Sequence, residues 1–200
     1  MSEANSLWKR RDFKINTERC YLRLPQLQDY EIWVNLRRKS EDFLSEWEPS
    51  RDRDFYSLSA FKLRVKWANK QFSEKKVIHA FIFRQEDGIL IGAITLSQLR
   101  RGAAQSGSIG YWLGEPYIKN GYMSEAVKAI IFQAFKNFEL SRIEAATLPE
   151  NQASRSLLEN IGFKYEGVAQ SYLQIAGRWR NHIMYSLLRD DRRGKNKILE

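Results

Sequence analysis

Apolar and polar residues follow two different periods along this chain, and the switches between them mark its elements. The central switch lies between Gly110 and Ala126. Its left part, Gly110-Tyr111-Trp112-Leu113, is apolar and aromatic, like a strand. Pro116 and the polar triplet Lys119-Asn120-Gly121 break it. From Met123 the spacing is helical, with Met123, Val127, Ile130, Ile131, Ala134 and Phe138 on one face. A strand, a glycine-containing loop and a helix can hold an anion. The helix leaves its first amides unpaired, its dipole places partial positive charge there, and glycine lets the backbone approach closely. An ordinary strand-to-helix turn gives the same local pattern.

The rest of the chain is organised around this stretch. Residues 1–16 read as a polar leader, with a short helical piece around Trp8. Residues 20–24 form a first strand, ended by Pro25, which has no amide to donate. Residues 28–38 and 54–72 carry apolar positions at helical spacing, with Asp29 near the first helix's start. The strands 77–83 and 89–99 are joined by Gln85-Glu86-Asp87-Gly88, a hairpin signal. A second hairpin loop at 102–107 leads into the strand 108–113. After the Met123 helix come a strand at 142–147, a helix at 151–159 with Asn151 as N-cap, and Gly162 at its end. Strands 168–175 and 179–188 close the fold, and 189–200 form a charged tail. Antiparallel pairs on both sides of a strand–helix–strand unit imply a mixed sheet in one α/β domain spanning residues 17–188.

Composition narrows the class. Apolar residues make 43% of the 200 and aromatic residues 13%, enough for a packed core. No apolar run approaches the roughly 18 to 20 residues of a membrane span, and the first residues lack a signal-peptide layout. Cytoplasmic location is expected. Cys20 is the single cysteine, which excludes an internal disulfide, and with two distant histidines it offers no metal cluster. The net charge of +9 suits an acidic partner such as a polyphosphate or a ribosome. The basic residues are scattered rather than striped, so no specific nucleic-acid binding is expected.

Several strings, in this order, carry a resemblance: Trp47-Glu48-Pro49, Ile109-Gly110-Tyr111-Trp112-Leu113, Gly121-Tyr122-Met123-Ser124-Glu125-Ala126, Leu148-Pro149-Glu150-Asn151-Gln152-Ala153-Ser154 and Leu158-Glu159-Asn160-Ile161-Gly162-Phe163. Glu166-Gly167 and Gly177-Arg178-Trp179-Arg180-Asn181-His182 follow. Together they resemble the GNAT N-acetyltransferase superfamily, most closely its ribosomal-protein-alanine (RimJ-like) branch. The resemblance implies an α/β (α+β) acyl-CoA N-acyltransferase fold. Its mixed, mostly antiparallel seven-stranded sheet splays between the fourth and fifth strands and is flanked by helices.

It also implies a site for acetyl-CoA as co-substrate, without a metal. Backbone groups of Tyr111, Trp112 and Leu113 face the pantetheine arm, and the Leu113 N–H meets the thioester carbonyl. Lys119, Asn120, Gly121, Tyr122, Met123 and Ser124 cradle the pyrophosphate, with Lys119 and Arg155 adding charge. Asn151 bonds the pantetheine, and Ser154 is the proton donor to the leaving thiolate. The chain departs from the superfamily's usual loop at Ile118 and Met123, keeping only Gly121. It departs again at Asn181, where relatives carry Asp.

The implied reaction is direct attack by an amine on the thioester. For the base, Glu48 is the choice, with Glu115 and Glu166 as alternatives. The acceptor implied is the N-terminal α-amine of a protein or peptide, ribosome-associated, with the enzyme a monomer or homodimer. A small amine (polyamine, amino acid or aminoglycoside) is the alternative acceptor. A non-catalytic acyl-CoA-binding or RNA-associated module is the alternative class.

Overall fold

The computed structural model describes residues 13–190. The helical piece expected around Trp8 and most of the charged tail lie outside them. The elements in chain order are β1 (Lys14–Asn16), β2 (Cys20–Arg23), α1 (Tyr30–Lys39), α2 (Glu41–Ser45), α3 (Leu58–Ser73), β3 (Ile78–Arg84), β4 (Leu90–Arg100) and β5 (Ser106–Leu113). They continue with α4 (Tyr122–Lys136), β6 (Arg142–Thr147), α5 (Gln152–Ile161), β7 (Lys164–Ile175) and β8 (Arg178–Leu188).

One mixed sheet runs β1-β2-β3-β4-β5-β6-β8-β7. All neighbours are antiparallel except β5 and β6. The sheet has eight strands rather than the seven expected, because residues 14–16, assigned to the leader, pair with Tyr21–Arg23. Ile15 is what places them there: it is buried between two exposed neighbours, a single alternation too short to stand out in the sequence. Three helices, not two, lie between β2 and β3.

Each face of the sheet carries its own apolar layer. One includes Leu22, Ile82, Ile94, Ile109 and the buried stripe of α4, with Leu158 and Ile161 of α5. The other packs Trp33, Val34, Leu36, Phe61 and Val65 of α1 and α3 on Phe81, Phe83 and Ala93. Helix α3 starts at Leu58, not at 54, because Ser57 is its N-cap and accepts the Ala60 N–H at 3.1 Å. Strand β7 starts at Lys164, earlier than expected, since Gly162 ends α5 in the left-handed conformation and the chain re-enters the sheet at once.

The parallel contact between β5 and β6 is short. Ser106, Gly107 and Ser108 oppose Arg142, Ile143 and Glu144, and there the pairing stops. Beyond it, β5 stays on β4, with Trp112 opposite Ala93 and Leu113 opposite Gly92. Gly114 then packs against α1 so closely that a Cβ there would collide with Leu36. The Gly114 N–H bonds the Ile91 carbonyl at 2.9 Å, and the Glu115 N–H bonds the Ser40 hydroxyl at 2.9 Å. These contacts hold the end of β5 toward β4 and α1. Strand β6 instead follows β8 to its end, Thr147 opposite Ile183. The result is a wedge-shaped opening between β5 and β6.

Candidate functional site at the splayed strands

Strand alternation decides which groups face the opening. In an antiparallel pair successive backbone groups point to opposite edges. Because Gly114 donates to β4, the N–H of Leu113 and both backbone groups of Tyr111 point the other way, into the wedge. Trp112 does not join them. Its backbone faces β4, and its side chain lies on the opposite sheet face from Tyr111 and Leu113. Of the three, Tyr111 and Leu113 turn backbone groups toward the opening and Trp112 toward β4.

At the outer end of the wedge lies the loop before α4. Lys119 and Gly121 both adopt the left-handed conformation, at φ 61° and 81°. Glycine suits the second position, and the two turns curl the amides inward. No N–H from Lys119 to Ser124 has an acceptor among the described residues; the first amide after them, on Glu125, bonds the Gly121 carbonyl at 3.2 Å. Six consecutive unpaired donors at a helix N-terminus form an anion cradle. Met123 does not crowd it, since its side chain is 5% exposed and belongs to the core.

The cradle is braced from outside by a residue the sequence did not single out. Arg19, in the turn between β1 and β2, donates to the Asn120 carbonyl at 3.0 Å and to Glu125 at 2.5 Å. Its guanidinium sits 5.0 Å from the centre of the Tyr122 ring. Thr17 adds a hydroxyl to Glu125 at 2.9 Å. Burial pushes the Glu125 carboxyl up, but the Arg19 amide, the Thr17 hydroxyl and the Arg19 guanidinium together hold it below its ordinary value. Lys119 is exposed beside the cradle. Arg155 is half-buried and donates to the Pro149 carbonyl at 3.2 Å, a contact within the fold.

The other wall of the wedge is the start of α5. Asn151 is its N-cap, accepting the Ser154 N–H at 3.0 Å. That leaves the Asn151 amide NH2 available as a donor. The Ser154 hydroxyl lies 2.9 Å from the Tyr111 hydroxyl, so a side-chain bridge crosses between the two walls. Burial pushes the Tyr111 phenol up to about 12, although the bond to Ser154 lowers it somewhat.

Glu48 sits in the loop after α2. Both its oxygens are held by Arg37, at 2.8 Å and in a second, shorter contact, and Arg51 adds a bond at 3.1 Å. Arg37 is itself buried, 4.4 Å from the centre of the Trp112 ring. No contact joins Glu48 to Ser154 among the described residues. Glu115 is exposed in the short turn after β5, and Glu166 bonds Arg142 and Ser186, at 2.7 and 2.6 Å. Asn181 accepts the Ser171 N–H at 2.9 Å, pinning the bulge in β7. The buried His182 shares a 3.0 Å hydrogen bond with the Arg180 carbonyl.

The mouth of the wedge is bordered by a strap. Strand β6 ends opposite Ile183, so residues 169–182 of the β7–β8 hairpin project past it. At the tip, the Ala176 N–H bonds the Glu48 carbonyl at 3.0 Å, and Gly177 packs near Ser50. Chemically, such an opening can pair strand-edge groups with an extended ligand, take an anion at the amides before α4, and bring the Leu113 N–H and the Ser154 hydroxyl near its far end. Those groups match the pantetheine, pyrophosphate and thioester of acetyl-CoA. Among the described residues no cluster of His, Cys, Asp or Glu could hold a metal ion, and no helix is long and apolar enough to cross a membrane.

Known proteins agree with this assignment. Residues 19–164 match the acetyltransferase (GNAT) domain family. The chain is 33% identical over 171 residues to the probable N-acetyltransferase YjcK of Bacillus subtilis, covering 86% of this chain and 94% of that protein. It is 29% identical over 180 residues to the [ribosomal protein uS5]-alanine N-acetyltransferase of Escherichia coli, covering 89% and 92%. Among solved structures, the ribosomal-protein-S5-alanine acetyltransferase of Vibrio fischeri superposes with a TM-score of 0.83 at 30% identity, covering 90% and 98%. Mycobacterium smegmatis RimJ in complex with CoA-disulfide superposes at 0.82, with 26% identity over 88% and 85%. With its family matched over most of its length and its wedge intact, this chain belongs to the GNAT family, as an acetyl-CoA-dependent acetyltransferase that acts on an amine.

Proposed function

We propose that the acceptor is the N-terminal α-amine of a protein, with a ribosomal protein as the favoured substrate. The observation that carries this reading is the projecting hairpin. It presents Leu173 and Trp179, 44% and 65% exposed, on its two faces beside the mouth of the wedge. Exposed aromatic and aliphatic groups beside a catalytic opening suit the side chains of a peptide. Glu48 is already held by two arginines, which disfavours its use in binding a polycationic small amine. Relatives whose names specify ribosomal-protein alanine as substrate support the same choice.

In this reading the neutral amine attacks the thioester carbonyl. Negative charge develops on the carbonyl oxygen, where the Leu113 N–H stabilises it more strongly than in the ground state. The C–S bond then breaks, its electron pair settles on sulfur, and Ser154 donates a hydrogen bond to that sulfur. The amine's proton leaves to water, for Glu48 is engaged elsewhere. Orientation in the wedge supplies much of the rate.

A peptide with a free N-terminal alanine and an internal lysine tests the choice of amine. After incubation with acetyl-CoA, fragmentation mass spectrometry should place the acetyl group on the α-amine. Modification of the lysine ε-amine alone would refute the assignment.

A further inference from the structure

The Tyr111 hydroxyl has no part in the scheme above, which uses only that residue's backbone. Its position is nonetheless specific. Tyr111 projects from β5 and Ser154 from α5, so their 2.9 Å contact joins two elements whose strands have separated. Ser154 is fixed on its own side by the Asn151 cap, which accepts its N–H at 3.0 Å but leaves the hydroxyl free to rotate. The hydroxyl carries one proton and can accept others. If Ser154 donates that proton to Tyr111, nothing remains for sulfur. If Tyr111 donates instead, the serine proton is released toward the opening.

Resting on the acetyl-transfer reading, we propose that Tyr111 is a positioning residue: it donates to the Ser154 oxygen and thereby turns the serine proton toward the leaving sulfur. The phenol suits this direction. It is mostly buried and remains protonated across the neutral range, so it always has a proton to donate. No proton needs to leave Tyr111. The electron pair of the broken C–S bond goes to sulfur, the serine hydrogen bond stabilises it there, and Tyr111 fixes only the direction of that bond.

Replacing Tyr111 by Phe keeps the ring and removes the hydroxyl. A neutral hydrogen bond of this kind is worth about three- to tenfold in rate. The experiment is a cycle of wild type, Tyr111→Phe, Ser154→Ala and the double variant, measured for kcat, for KM of acetyl-CoA and for CoA binding by calorimetry. The expected result is a kcat lowered about three- to tenfold in Tyr111→Phe, with CoA affinity within about twofold. In the Ser154→Ala background the same change should cost nothing more, because the hydroxyl it orients is already gone.

Equal losses in both backgrounds would overturn the proposal, as would a Tyr111→Phe effect confined to CoA binding. A full kcat in Tyr111→Phe would overturn it as well. Melting curves guard against a folding defect: if Tyr111→Phe unfolds at the assay temperature, the assay is repeated at a lower temperature where it is folded. Failure of the parent reading looks different. Wild type without turnover on any amine removes acetyl transfer itself, and this role with it.

Discussion

Arg37 grips both carboxylate oxygens of Glu48 while its guanidinium lies 4.4 Å from the centre of the Trp112 ring. The pair thus links the loop after α2 to the back of the strand that carries Leu113. Removing one partner of a buried ion pair strands the other charge, at about 3 to 5 kcal/mol. Glu48 is partly exposed, so Glu48→Gln should cost about 2 to 4 kcal/mol in urea unfolding. Turnover per folded molecule should fall less than tenfold. Unchanged stability with turnover abolished would make Glu48 the base instead.

Met123 is one of the two departures from the loop that the resemblance implies, yet its side chain is in the core. Met123→Ala should therefore lower stability by about 2 to 5 kcal/mol through a cavity. CoA affinity, measured by calorimetry below the melting range, should not improve. A tighter complex in the variant would show that the methionine does obstruct the phosphates.

Gly121 is held at φ 81°, and a Cβ there would sit 3.0 Å from the Arg19 guanidinium. Gly121→Val forces a branched residue into a conformation it rarely adopts, next to the group that braces the loop. CoA binding should weaken at least tenfold, with a smaller change in melting temperature. Undiminished binding would argue against phosphate contact at these amides.

His79 provides a pH test that is independent of catalysis. Its ring lies between Trp67 and Phe81, with centroids 6.4 and 5.8 Å away, and shares a 2.7 Å hydrogen bond with Thr95. Burial, then the nearby Arg64, pushes its pKa down to about 4. The unfolded chain takes up this proton near 6.5, the folded chain only near 4. Stability from this residue is complete above pH 6.5 and drains away as pH falls toward 4. Between pH 7 and 4.5 the loss is about 2 kcal/mol. Urea unfolding of His79→Gln should show that much less acid sensitivity than wild type; equal sensitivity would contradict the assignment.

The parts legible in the sequence were those written in local pattern. The α4 stripe, the turn at 85–88, the Asn151 cap and the Gly162 terminus each depend on residues a few positions apart. Gly121 was legible for the same reason, since a left-handed residue before a helix calls for glycine. What escaped depends on side chains meeting across the fold. Arg19 reaches Glu125 over 106 positions, and Tyr111 meets Ser154 over 43. The alternation that turns Trp112 away from the wedge follows from the bond of Gly114 to Ile91, a pairing no local pattern announces. Strand β1 was missed because three residues offer only one buried position.

The proposed reaction is acetyl transfer from acetyl-CoA to a protein N-terminus. Thiol release from acetyl-CoA, followed with N-terminal peptides and with a panel of polyamines, amino acids and aminoglycosides, tests it most directly. A peptide with a free N-terminus should give a higher kcat/KM than any small amine, and no release above background when that terminus is blocked. CoA binding with no amine accelerating release, or a small amine outcompeting every peptide, would contradict it.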